Sequence, residues 1–117
     1  MRPDRLKALC LAQNAAVEEF PFGPEYSVFK VEGKLFAITD LQATPLTVSL
    51  KCDPDEAVRL RAEHPAIVPG YHLNKRHWNT VTVGELSARM VRELIEDSYD
   101  LVVAGLTKAQ RLRLDRP

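Results

Sequence analysis

A chain of 117 residues, 45% hydrophobic and 27% charged, has material for one core and the balance of an ordinary globular domain. Sixteen Lys and Arg offset sixteen Asp and Glu, so there is no net positive field of the kind that drives strong non-specific nucleic-acid binding. No apolar run approaches the ~20 residues of a membrane span, and Met1-Arg2-Pro3-Asp4 lacks the apolar stretch of a secretory signal; a cytoplasmic location without membrane partners is expected.

In chain order, residues 3–13 are expected to form a helix, with Pro3 in its first turn and Leu6, Leu9 and Cys10 on one face. A short strand at Val17–Phe20 ends in the turn Pro21-Phe22-Gly23-Pro24. Tyr26–Val31 and Lys34–Thr39 alternate around Glu32-Gly33, the pattern of a two-residue hairpin. In that register Phe29 faces Phe36 and Ser27 faces Ile38. Phe29, Phe36 and Ile38 then belong to the core, while Val28, Lys30, Leu35 and Ala37 point away from it.

Leu46–Cys52 is a further strand, with Val48 and Leu50 inward and Thr47, Ser49 and Lys51 outward. Asp53 caps the next helix, Pro54 suits its first position, Glu56 completes a capping-box pattern, and the helix must end before Pro65. Ile67–Tyr71 and His77–Val83 are the last strands. Ser87 caps a long helix, Ala88–Ala104, that Gly105 stops. Residues 106–117 form a basic tail, Lys108, Arg111, Arg113 and Arg116 against Asp115 alone, expected as a turn or two of solvated helix. The order specifies a single α+β domain over 1–117: one antiparallel sheet of five to six strands with the N- and C-terminal helices packed on one face.

Chemistry-bearing motifs are sparse. His64, His72 and His77 have no metal-ligand spacing, and there is no GxSxG, HExxH or phosphate-binding glycine loop. No enzymatic activity, metal or cofactor is expected. Cys10 and Cys52 form no CxxC pair and are expected as free thiols. The informative region is the outward sheet face, where Lys30, Lys51, Thr80 and Trp78 gather beside the loop His72-Leu73-Asn74-Lys75-Arg76-His77. An aromatic platform beside cations can stack bases and contact phosphates, or hold a small anion; Trp78 can equally serve as an apolar cover for that face.

Four blocks sharpen this. Phe20-Pro21-Phe22-Gly23, Leu50-Lys51-Cys52-Asp53-Pro54, Pro69 to Val81 (containing Gly70-Tyr71-His72-Leu73-Asn74-Lys75-Arg76-His77-Trp78) and Glu93 to Val102 together resemble the YjbR/MmcQ family. The resemblance implies a frataxin-like "double wing" fold and DNA binding. On that basis Lys30, Lys51, Tyr71, His72, Lys75, Arg76, His77 and Trp78 are the expected nucleic-acid or ligand contacts, with DNA as the expected partner and a monomer as the expected state. Two alternatives stand beside it: a peptide- or partner-binding adaptor anchored on Trp78 and Tyr71, and an enzyme or small-ligand binder, of a small anion for instance, using His72 or His77.

Overall fold

The computed structural model describes residues 1–115. The N-terminal helix α1 (Pro3–Leu11) leads into β1 (Val17–Glu19), then β2 (Ser27–Val31), β3 (Lys34–Thr39) and β4 (Thr47–Lys51). Helix α2 (Pro54–Glu63) connects to β5 (Ile67–Pro69) and β6 (Trp78–Thr82). After a short 3-10 turn come α3 (Ala88–Ala104) and α4 (Lys108–Leu114). The six strands form one antiparallel sheet in the order β1-β2-β3-β4-β6-β5. α3 lies across β2, β3 and β4, and α1 packs beside it on the same side. Phe29, Phe36, Val48, Leu50, Val81, Val91 and Ile95 meet in one core, with Leu94 half-buried at its edge. Burial of this kind, ~25 cal/mol for each Å² of apolar surface, is what holds α3 to the sheet.

The expected N-caps form, but Glu56 does not complete a capping box on α2, because its carboxylate is taken by Arg59 one turn on. Asp53 Oδ2 accepts from the Glu56 N–H at 3.3 Å, and Ser87 Oγ accepts from the Met90 N–H at 3.1 Å. Each satisfies one of the orphan donors of a helix start. The basic tail is a docked helix: Thr107 and Gln110 form a reciprocal capping box, Leu114 packs against the core, and Arg113 pairs with Glu32 of the hairpin loop at 2.6 Å. The tail's Arg116 lies outside the described residues.

One expected register does not survive. Phe29 stands opposite Ala37, Ser27 opposite Thr39 and Val28 opposite Ile38, and the pairing shifts between Phe29 and Lys30. A β-bulge at Phe36 is the reason. It places two residues of β3 against one of β2, so Phe36 and Ala37 both reach the core and are fully buried. Ile38 moves to the outward face, pairing across to Ser49 of β4. The backbone groups beside the bulge are met from above. Ser98 of α3, fully buried, donates its hydroxyl to the Phe36 carbonyl at 2.6 Å and accepts from the Lys51 N–H at 2.8 Å. A mid-helix serine is expected to bond within its own helix; here the bulge supplies more demanding partners.

Candidate functional site

With α1 and α3 on one side, the other side of the sheet has no covering helix among the described residues. Its surface is built by strand alternation: Ser49 and Thr80 lie directly opposite on β4 and β6, their hydroxyls 2.8 Å apart, and Ile38 continues the row on β3. Thr80 does a second job. Its Oγ1 accepts from the Tyr71 N–H at 3.0 Å, fixing the loop after β5 against β6. Gly70 makes this approach possible: a Cβ there would stand 2.7 Å from Trp78 Cβ, while its N–H donates to the Trp78 carbonyl at 2.8 Å.

The loop then turns at His72, whose φ of 58° is left-handed, and the Tyr71 and His72 rings lie 4.0 Å apart. On the opposite bank the turn before β2 presents Phe22 and Tyr26. Between the banks runs a groove of about 460 Å³ lined by Phe22, Tyr26, Ile38, Thr39, Asp40, Ala43, Thr47, Ser49, Tyr71, His72, Leu73 and Thr80. Three aromatic rings at its rim are unusually bare: Tyr71 is 70% exposed, Phe22 61% and Tyr26 40%. An apolar concentration of this size on a surface marks a contact site more often than a scattered leucine does.

Of the eight expected contacts, the structure brings Tyr71 and His72 into the groove. Lys51 stands directly across from Trp78 at one end of the same face, and Trp78 is half-buried there. The other cations are differently engaged. Lys30 pairs with Glu19 at 2.9 Å, and Lys75 Nζ donates to the Gly70 carbonyl at 3.0 Å, bracing the loop from within. Arg76 is exposed at the loop's outer edge, and His77 is half-buried with its carbonyl accepting from the Cys52 N–H at 2.7 Å. Among the described residues, neither Lys nor Arg lines the groove, and Asp40 does. Phe22, Tyr26, Ile38 and Asp40 were not among the expected contacts. Phe20 and Phe22, two phenylalanines in a proline-glycine turn, are a signal for Phe22; Ile38 was concealed by the bulge.

A second concavity lies on the helix side, between α2 and α3 over β4 and β6, with a volume of about 580 Å³. Leu50, Leu60, Ile67, Val81, Met90 and Leu94 line it, with Asn79 among them. Asn79 is 3% exposed, its Oδ1 accepts from Arg61 Nη1 at 2.9 Å, and its Nδ2 has no hydrogen-bond partner among the described residues. An unpaired buried donor costs about 1–3 kcal/mol. Five carboxylates edge the cleft (Asp53, Glu56, Glu93, Asp97 and Asp100) against Lys51 and Arg59. Burial, then the neighbouring Asp100 and Glu93 charges, pushes the Asp97 carboxyl above its ordinary range. Arg59 bridges Glu56 and Glu63, and its hydrogen bond holds Glu56 below the usual range. Cys52, also on this wall, is a free thiol pushed up to about 11 by burial and then by Glu56, Asp53 and Asp97; buried Cys10 is pushed up to about 12. Both are thiols and weak nucleophiles at neutral pH. Among the described residues no three His, Cys, Asp or Glu side chains converge as metal ligands, and no helix is long and apolar enough to cross a membrane.

The YjbR family model matches residues 11–101, which include the groove's aromatic banks and most of α3. The chain belongs to the YjbR family. It is 44% identical over 97 residues to the uncharacterized protein YbdF of Escherichia coli O157:H7, covering 81% of this chain and 79% of that one. It is 33% identical over 112 residues to the uncharacterized protein YjbR of Escherichia coli strain K12, covering 95% of each. Among solved structures, the Deinococcus radiodurans protein DR2400, with a DUF419 domain, superposes with a TM-score of 0.90 at 44% identity over 99% of this chain and 89% of that one. A Pseudomonas syringae crystal structure gives 0.75 at 28% identity over 86% and 98%. The single open antiparallel sheet is thus shared with solved relatives.

Proposed function

We propose that this protein is a peptide-binding module without a catalytic step, whose open-face groove takes an extended partner segment carrying an aromatic or large aliphatic anchor beside a basic residue. The observation that carries this reading is the wall of the groove: Tyr71, Phe22 and Tyr26 are exposed around a floor of Ile38, Ser49 and Thr80, and Asp40 is present in the lining without a Lys or Arg. The rings supply desolvation energy to an anchor. Thr47 supplies a hydroxyl for the partner's backbone, and Asp40 favours a neighbouring cation. Phosphate, by contrast, meets no Lys or Arg in that wall.

A second reading, single-stranded nucleic acid, is favoured by one arrangement: Trp78 beside Lys51, with the Tyr71 and His72 rings in tilted contact on the loop that follows β5. One experiment separates the two. Peptides selected from a displayed random library on the folded protein, and labelled single- and double-stranded oligonucleotides, are titrated at low and physiological salt. The peptide reading expects selected sequences with an apolar anchor next to Lys or Arg, and affinity lost in Phe22→Ala and Tyr71→Ala. Oligonucleotide binding with a log K against log salt slope of about −3 to −4, flattened by about one unit in Lys51→Ala, together with failure of the selection, overturns it.

A further inference from the structure

A peptide docks as an added strand, as a helix or as a polyproline II segment, and the chemistry of the open-face groove separates the three. Strand addition needs a free sheet edge. The edges are β1 and β5, whereas the groove lies over the face of β3, β4 and β6. Both edges are also blunted, β1 by Glu18 and Glu19 and β5 by Pro69. A docked helix lays a continuous apolar stripe along the bottom of its groove. Here the exposed rings of Phe22, Tyr26 and Tyr71 stand on the rims. Beside Ile38 the floor is the Ser49 and Thr80 hydroxyl pair, which gives such a stripe little to bury against.

Hydrogen-bonding capacity decides the rest. Ser49 and Thr80 bond each other at 2.8 Å, Thr80 also accepts from the Tyr71 N–H, and the Thr39 hydroxyl donates to the Thr47 carbonyl. The groups left for an occupant are the Thr47 hydroxyl, the phenols of Tyr26 and Tyr71, the His72 imidazole and Asp40, whose Oδ1 already accepts from the Gln42 N–H at 2.9 Å. Phenols and hydroxyls donate to carbonyls, but a segment with an N–H at every residue brings more donors than this lining can receive. Proline brings none, and its fixed φ presets the extended form. The loop bank is stiff as well. Lys75 Nζ donates to the Gly70 carbonyl at 3.0 Å, and Arg61 of α2 donates to the Lys75 carbonyl at 3.0 Å. A preset ligand meeting a preset bank loses little conformational freedom.

We propose, on the basis of the peptide reading of this groove, that its occupant is a proline-rich segment in the polyproline II conformation. Its prolines sit between the Tyr71 bank and the bank of Phe22 and Tyr26, its carbonyls accept from the phenols and the Thr47 hydroxyl, and a flanking Arg or Lys pairs with Asp40.

Three matched heptapeptides, each acetylated and amidated, test this. The first is Arg-Pro-Pro-Leu-Pro-Pro-Leu. Arg-Ala-Ala-Leu-Ala-Ala-Leu keeps the charge and the leucine anchors and restores the N–H groups. Glu-Pro-Pro-Leu-Pro-Pro-Leu reverses the charge. Each is titrated into uniformly ¹⁵N-labelled protein and followed by backbone amide shifts. The first peptide is expected to move the Tyr71, His72 and Thr47 amides and to bind about tenfold more tightly than either of the others. Asp40→Asn, which keeps an oxygen for the Gln42 N–H, is expected to bring the Arg and Glu peptides within about twofold of each other. Equal binding of the alanine peptide in the groove overturns the proline preference while the peptide reading stands. Shifts confined to the β1 or β5 edge overturn it in favour of strand addition. No groove shift from the first peptide at millimolar concentration also overturns it, whatever the displayed library yields; a library that yields no sequence brings down the peptide reading with it.

Discussion

The cleft under α3 and the groove on the open face share β4 and β6 as a common wall, yet alternate residues of the same two strands make them opposites. Leu50, Asn79 and Val81 look into the cleft; Ser49 and Thr80 look into the groove. One side gains its depth from packed helices and carries an acidic rim. The other gains it from loops raised above a bare sheet and carries aromatic banks. The lesson is that a two-layer fold leaves one sheet face without a covering helix, and the loops that rise beside it are released from the requirement to pack. Tyr71 at 70% exposure and Phe22 at 61% exploit that release, whereas Phe29 and Phe36 on the helix side are wholly buried.

If the division is real, stability should reside on the helix side and binding on the open side. The largest effect is expected at Ser98, whose hydroxyl serves both the Phe36 carbonyl and the Lys51 N–H. Ser98→Ala strands both buried groups and should lower stability by about 2–4 kcal/mol in denaturant unfolding. A loss under 1 kcal/mol would mean that the bulge relaxes without it. Next comes Gly70→Ala: a Cβ 2.7 Å from Trp78 Cβ must push β5 from β6, at a cost of about 1–3 kcal/mol, with a shift in the emission of the single tryptophan.

Two smaller effects sharpen the contrast. Tyr71→Ala and Phe22→Ala should change stability by no more than about 0.5 kcal/mol each, because these rings are mostly in solvent, while abolishing selection of anchored peptides. A loss comparable to that of a core phenylalanine would reassign these rings to structure. The smallest change is expected from Asp97→Asn. The folded state raises this carboxyl's pKa, so the native chain binds its proton more readily than the unfolded chain, and the ionised form costs stability at neutral pH. The substitution should therefore raise the thermal midpoint slightly at pH 7. The gain should shrink as pH falls through the raised pKa, and vanish below the ordinary carboxylate range. A midpoint lowered by the substitution would contradict the assigned direction.

Much of this architecture was readable in the chain because it depends on local rules. The caps at Asp53 and Ser87, the hairpin at Glu32-Gly33, the stop at Gly105 and the alternation Val48, Leu50 against Thr47, Ser49 each involve neighbours within a few residues, where spacing alone dictates direction. Asn79 was legible in part: it occupies an inward position between outward Trp78 and Thr80, though no sequence rule reveals that Arg61 satisfies only one end of its amide. Of the contacts expected from the residues, Tyr71 and His72 stood where they could meet a partner, while Lys30 and Lys75 were drawn to Glu19 and the Gly70 carbonyl. A lysine's stem reaches whichever acceptor the fold brings near, and that choice is tertiary.

The sequence by itself determined the family, the order and extent of the elements, and which face of β4 and β6 is apolar, because periodicity and capping act over short distances along the chain. Only the tertiary structure decided the bulge at Phe36, which sends Ile38 to the open face and calls Ser98 down from α3. It alone decided that two turns remote in sequence, Phe22 to Tyr26 and Tyr71 to Leu73, bank one groove, and that Asn79 and Asp97 edge another. Such juxtapositions depend on how strands register and how helices lie across them. Those are set by the packing of the whole core, in which no single residue's neighbours along the chain have a deciding share.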